Sequence, residues 1–182
     1  SASLAGSLDL RTVARGLAGS LVPGLADRAH VDLDEALFHP DLTLGTGSTV
    51  LCRVATTDRA RLDAPAAEDE WVAYPGPSAS PWEVRLPLRA RGKVLGVLGV
   101  HRDEARPSFA PSDLGLLEEI AARAALALDN VRLYDEARAT SVALQRALLP
   151  SAHPRLTGVS TAHRYLPGNR DVGVGGDWFD VI

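Results

Sequence analysis

The chain has 182 residues, 46% of them apolar and 23% charged, a balance suited to one well-cored domain with an appendage. Its 19 Lys and Arg against 23 Asp and Glu leave a net charge of −4, and neither sign forms a block; that argues against the basic stripe a nucleic-acid backbone requires. No apolar run approaches the roughly 20 residues of a membrane span, and the N-terminus lacks the charged-then-apolar pattern of a secretory signal, so a cytoplasmic protein is expected.

In chain order, Leu10, Val13, Leu17 and Leu21 recur at three- and four-residue steps and predict a helix that Pro23 and Gly24 end. "LADRAHVDL" alternates loosely, with Ala29, Val31 and Leu33 on one side, and reads as a strand. "STVLCRVAT" places Val50, Cys52 and Val54 on one face and Leu51 and Ala55 on the other, a strand covered on both sides. Cys52, the only cysteine, reads as a small buried apolar residue. From Thr56 to Pro81 the sequence is rich in Pro, Gly, Ala and Ser without a sustained period, which reads as a lid-like loop with one short strand at Trp71 to Tyr74.

The hairpin signal that follows is stronger. "EVRLPLRA" puts Val84, Leu86 and Leu88 on one face; "KVLGVLGVH" is apolar on both, with Val94, Leu98 and Val100 opposite Leu95 and Val97. Gly92 supplies the reversal between them, and Gly96 and Gly99 are expected to let a helix approach the sheet. Pro111 suits the first turn of a helix and Asp113 its positive end. No breaker then follows Gly115 until Pro150, a reach on the order of 50 Å. Leu117, Ile120, Ala124, Ala127, Val131 and Tyr134 form a heptad-like seam that fails at Arg138 and Ser141 and resumes at Val142, Leu144 and Leu148. The first half is expected to pack on its own sheet or on a partner helix, as in a homodimer; the second reads as a protruding connector. Pro150 and Pro154 end the helix, and "GVSTAHRYLP" and "VGVGGDWFDVI" begin a new β-rich unit. The absence of methionine is what a piece of a longer chain would show.

The order helix, two strands, irregular lid, hairpin, long helix resembles the GAF domain, most specifically over "EVRLPLRARGKVLGVLGVHRDEARPSFAPSDLGLLEEIAARAALALDNVRLY". The resemblance covers residues 8–136 and implies an α+β fold, an antiparallel sheet flanked by helices, with a long C-terminal helix leading into a truncated β-rich segment. One departure is Ala110, where many relatives carry a Ser or Thr helix cap. The implied organisation is a sensor domain at 1–136 with its core at about 8–130, a helical linker at 137–150, and a second domain beginning at 151–182.

That second part carries its own resemblance. "LQRALLP", "RYLPG" and "VGGDWFDV" stand in the order and spacing seen where SpoIIE-type phosphatase domains begin, bacterial members of the metal-dependent protein serine/threonine phosphatases. The resemblance implies a Mn2+ or Mg2+ pair held in part by Asp177, and a phosphoprotein substrate of the anti-sigma-factor antagonist type. Hard divalent cations do favour carboxylate oxygens, and paired metals activate water for attack on phosphorus. Asp180 is the second candidate ligand, but in a strand it would point away from the face of Asp177. By itself "GGDWFD" reads more plainly as a glycine turn feeding a strand; the two preceding motifs reverse that preference. One carboxylate cannot cage two metals, so this stretch alone is expected to be catalytically incomplete. The alternative is a stand-alone small-molecule-binding or dimerisation module.

The five histidines, His30, His39, His101, His153 and His163, show no zinc-like spacing. His153 lies between two prolines, unlike a kinase phosphoacceptor on a helix. A sensor pocket would lie between the sheet and the 56–81 segment, with Trp71, Tyr74 and Trp82 as lining residues or, equally, as core packing. Its ligand is not identified by these residues.

Overall fold

The computed structural model describes residues 2–38, 50–61, 70–73 and 80–148, so Tyr74, His39, Asp177, Asp180 and the 151–182 segment lie outside the described residues. Helix α1 (Ala2–Leu21) precedes strands β1 (Arg28–Asp34), β2 (Val50–Asp58), β3 (Glu70–Ala73), β4 (Glu83–Ala90) and β5 (Lys93–His101), and helix α2 (Pro111–Leu148) follows. The chain divides into a unit at Ser1–Arg132 and a second at Leu133–Ile182. The first holds a five-stranded antiparallel sheet in the order β3-β2-β1-β5-β4, the α+β architecture expected.

The core lies between one face of that sheet and the two helices. Leu10, Ala14, Leu17, Ala18 and Leu21 are buried on α1, at the spacing that keeps one helical face inward. The amides of Leu25 and Ala26 both donate to the Leu21 carbonyl, at 2.8 and 3.0 Å, and close the helix end before β1. Leu117, Ala121, Ala124, Ala125 and Leu128 form the buried stripe of α2 and join the same core cluster. The expected seam along α2 therefore divides. Leu117 and Ala124 belong to the domain's own core, Ile120 and Val131 pack against it, and Ala127 and Tyr134 are exposed.

Two bulges explain where face assignments by strict alternation go wrong. Val31 pairs with Ala55 but Asp32 pairs with Arg53, so Val54 is an extra residue in β2. Ala55 thereby joins Cys52 and Val54 in the core instead of sharing the opposite face with Leu51. Likewise Leu88 pairs with Gly96 and Arg89 with Val94, which leaves Leu95 extra in β5. Leu95 turns inward beside Leu98 and Val100, while Val94 does not enter the core cluster. Strand β2 also runs on to Asp58, so the loop expected from Thr56 starts later.

The hairpin turn has Arg91 at φ 48° and Gly92 at φ 77°, the pair of left-handed conformations that matches the twist of its strands. From that turn Arg91 Nε reaches within 2.9 Å of Asp129 Oδ2 on α2, and Arg132 donates to Asp129 Oδ1 at 2.9 and 2.7 Å. At the start of α2 the Ala110 amide donates to Asp113 Oδ2 at 3.0 Å. This is one half of a reciprocal cap; Ala110 has no hydroxyl to supply the other. No helix among the described residues is long and apolar enough to cross a membrane.

The glycines of β5 face β1 and not a helix. A Cβ at Gly96 would collide with the backbone carbonyl oxygen of Asp32 and lie 2.9 Å from Leu33 Cα; one at Gly99 would collide with the His30 ring. Backbone cannot step aside, whereas an imidazole can rotate. Gly96→Ala is therefore expected to destabilise by about 3 kcal/mol or more, at the top of the overpacking range, and Gly99→Ala by less. Urea unfolding of the two variants checks the order, and His30→Ala should restore stability to Gly99→Ala but not to Gly96→Ala.

Candidate functional site

The face of the sheet turned away from the helices carries charge on four adjacent strands. β1 supplies Arg28, His30, Asp32 and Asp34 at alternate positions, opposite in direction to Ala29, Val31 and Leu33. The register then groups them into rows. Arg28 of β1, His101 of β5 and Glu83 of β4 share the first; His30, Gly99 and Arg85 the second; Arg53 of β2, Asp32 and Val97 the third. Arg53 grips Asp32 with two bonds, Nε to Oδ1 at 2.8 Å and Nη2 to Oδ2 at 3.1 Å. Asp32 is only 1% exposed, so this fork satisfies a carboxylate that would otherwise be costly to bury. His30 Nε2 stands 3.7 Å from Asp32 Oδ2, and Arg85 Nε donates to Glu83 Oε1 at 2.9 Å. Thr56, paired with His30 across β1 and β2, has a buried hydroxyl without a hydrogen-bond partner.

Gly99 gives this arrangement its geometry. The missing side chain leaves a gap on β5 into which the His30 ring leans, toward Arg85 and Glu83 on β4. Burial pushes the His30 imidazole below its ordinary value; Asp32 and Glu83 pull it back up, while Arg53 and Arg85 add to the lowering. Burial likewise raises the Asp34 carboxyl, against the hydrogen bond from the Ala36 amide.

A second polar cluster ties the end of the sheet to the start of α2. Asp27, 2% exposed, accepts from Arg59 and Arg106 at 3.2 and 3.1 Å and from the Asp103 amide at 3.0 Å. Burial alone would raise its carboxyl, but those three donors outweigh burial and hold it below the usual range. Arg102, the first residue beyond β5, donates to the carbonyls of Leu25 and Ser108 and to Asp113 Oδ2 at 2.8 Å, and its guanidinium lies 4.3 Å above the Phe109 ring. The Ala110 amide and Arg102 lower the Asp113 carboxyl. One side chain thus joins the exit of α1, the end of β5 and the first turn of α2.

The tryptophans expected to line one pocket are not brought together. Trp71 lies on the edge strand β3 and pairs with Cys52, so it shares the helix-side face and is half exposed. Trp82 precedes β4 at the opposite edge, where its Nε1 donates to the Arg106 carbonyl at 3.1 Å. Cys52 is buried opposite Leu33, away from the charged face. The sequence signal for these charged rows is the alternation of three ionisable residues through "HVDLD", which acquires meaning once β1 is interior.

This topology and the long terminal helix define a sensor-type α+β domain. The GAF domain family matches residues 14–128, well over half of the chain, and the chain belongs to that family. Among solved structures it is similar to the GAF-B domain of DevS from Mycobacterium smegmatis, at 22% identity and TM-score 0.51, covering 73% of this chain and all of that one. A GAF domain/HD domain protein from Geobacter sulfurreducens is similar at 12% identity and TM-score 0.50, over 71% of this chain and 98% of that one. A methyl-accepting chemotaxis protein, residues 122 to 287, is similar at 20% identity and TM-score 0.50, over 73% and 98%. At these identities the likeness is one of fold. No curated protein matches the chain.

Two outcomes follow for the charged face. Because the folded state binds a proton at His30 less readily than the unfolded chain, its penalty is absent above the ordinary value of 6.5 and grows as pH falls below it. Asp34 works in the opposite sense, since its raised carboxyl takes up a proton more readily when folded. Urea midpoints at pH 7.5 and 5.5 should therefore show a loss in the parent that His30→Asn reduces at matched pH. Arg53→Met, which strands the Asp32 carboxylate, is expected to cost about 3 kcal/mol or more in the same assay.

Proposed function

We propose that this chain is the sensory and relay part of a bacterial, cytosolic SpoIIE-type protein serine/threonine phosphatase. The observation that carries the reading is the run of three motifs after the GAF domain, "LQRALLP", "RYLPG" and "VGGDWFDV", in the order and spacing of that phosphatase's start. The sensor's signal would be a small molecule held over the charged sheet face. Rows of Arg, Asp, Glu and His with nearly balanced charge favour a compact polar ligand bearing both donors and acceptors, not a flat apolar chromophore. Arg102 supports the relay, because it ties β5 to the first turn of α2. A homodimer through α2 would let ligand state be read as a change between two helices.

The metal chemistry is proposed for the whole phosphatase. Asp177 would supply one ligand to a Mn2+ or Mg2+ pair, whose chemistry is to activate water against a phosphoserine. Asp177 does not by itself fit a two-metal cage, and were the segment a strand, Asp180 would fall on its other side. Among the described residues no group of three or more His, Cys, Asp and Glu could hold a metal ion. The remaining carboxylates are expected in the gene past Ile182.

With the protein read through to the end of its gene, Mn2+-dependent release of phosphate from a phosphoserine peptide is expected. Asp177→Asn should reduce it at least 100-fold while the circular dichroism of the fold is retained. A gene product without further acidic motifs, or activity indifferent to Asp177, would leave the GAF domain as a stand-alone binding or dimerisation module.

A further inference from the structure

Helix α2 is tied to the β4–β5 hairpin by two arginines, and the two ties are built differently. At the end of β5, the Arg102 side chain is only 9% exposed and donates to three carbonyls and to Asp113 of α2. At the other end of the strand, the hairpin turn sends Arg91 to Asp129, with Nε 2.9 Å from Oδ2. The Arg91 side chain is 64% exposed, while that of Asp129 is buried. The spacing fits a helix running back along the strand. Asp113 and Asp129 lie sixteen residues apart, about 24 Å of helical rise, and the nine residues of β5 extend about 30 Å. The helix is gripped near each end of β5.

We propose that Arg91 is a releasable latch, which closes the hairpin tip on α2 through Asp129 and opens without disturbing the Arg102 anchor. The inference rests on the reading of α2 as the relay helix and adds which of its two attachments yields.

Three observations carry it. First, Asp129 does not depend on Arg91 for its charge. Arg132, one turn along the same helix and mostly buried, donates through Nε and Nη2 to Oδ1 at 2.9 and 2.7 Å. A buried carboxylate stripped of every partner is strongly destabilising, but Asp129 keeps Arg132 when Arg91 departs. Second, the contact that opens is the weaker one. Oδ2 is buried and accepts no hydrogen bond, so Arg91 holds it by charge alone, without the alignment that strengthens a charge-assisted bond. An exposed guanidinium is also reached by water and salt, which screen such a pair. Third, the turn does not call for arginine. With Arg91 at φ 48° and Gly92 at φ 77°, both central residues are left-handed, a geometry that favours Asn, Asp or Gly at the first position. Arginine there is explained by its reach to α2, not by the turn. Opening therefore frees the hairpin tip and the Asp129 turn of the helix together, while Arg102 and the buried stripe keep α2 on its domain.

Native-state hydrogen exchange on the full chain tests the latch, with Arg91→Met as the main variant. At this exposed position methionine keeps the left-handed cost of the turn and removes the charge. The amides of Lys93, Val94 and Asp129 to Arg132 should exchange at least tenfold faster in Arg91→Met than in the parent. Those of Arg102 and Leu114, which donate to the Trp82 and Ala110 carbonyls at the anchored end, should not change. Raising NaCl from about 0.05 M to about 0.5 M should speed the same tip and helix amides in the parent and leave Arg91→Met unaffected. Arg91→Lys, which keeps the charge, should restore part of the protection. Equal exchange at the tip in parent and Arg91→Met would show that the pair holds nothing, and overturns the latch. Acceleration of every amide, Arg102 and Leu114 included, would make Arg91 a strut of the whole fold and overturns it equally. Neither outcome touches the phosphatase reading, which the Asp177 peptide assay decides, and failure of that assay leaves the exchange pattern as expected here.

Discussion

Strand β1 must satisfy two incompatible neighbourhoods at once. Ala29, Val31 and Leu33 lie in a dry core, and His30, Asp32 and Asp34 lie on a face where a carboxylate 1% exposed is held by Arg53. A slip of one residue would send three ionisable groups into the core and three apolar ones onto the charged face. The register of the sheet is therefore fixed from its middle. The penalty for error is largest on this central strand, and β2 and β5 take their places against it. Both bulges sit where β2 and β5 must keep apolar residues inward although the alternation of their sequences runs out of step.

The same constraint accounts for the glycines. Gly96 brings β5 against the Asp32 carbonyl, and Gly99 opens the gap that lets His30 cross toward Glu83 and Arg85. The result is a charged face spread over four strands, on the side of the sheet that carries neither helix of the core. Its end is coupled mechanically to α2. Arg102 leaves β5 as a nearly buried cation and is absorbed by three carbonyls, an aromatic face and the Asp113 carboxylate. A displacement of β5 along its axis cannot leave the first turn of α2 unmoved unless that charge-assisted bond breaks.

Much of the fold can be read in the residues alone, and the places where reading fails share a cause. Periodicity finds the helices at Leu10–Leu21 and after Pro111, and the hairpin around Gly92, because each is a local pattern. It misassigns Ala55 and Leu95, because a bulge depends on the partner strand and leaves no mark in either sequence. It gathers Trp71 and Trp82 into one pocket because they are eleven positions apart, whereas sheet order sends β3 and β4 to opposite edges. It passes over His30, Asp32 and Arg53 because alternating charge looks like a solvated face until β1 is known to be interior. The candidate site is thus less visible than the fold: its members become neighbours only through long-range strand pairing.

Helix α2 shows the remaining ambiguity of a sequence pattern. Small and apolar residues occur so often between Leu117 and Tyr134 that the frame through Leu117, Ala124 and Tyr134 reads equally as a seam for a partner or as the face packed on the domain's own sheet. Packing divides them. The domain core takes Leu117, Ala121, Ala124, Ala125 and Leu128, which rules out their use against a partner while the domain stays folded. Of the expected seam, Ala127 and Tyr134 remain exposed. A helix committed along one side to its own domain core has little freedom to rotate independently of the sheet. Its first turn, held by Arg102, is therefore bound to move with the end of β5.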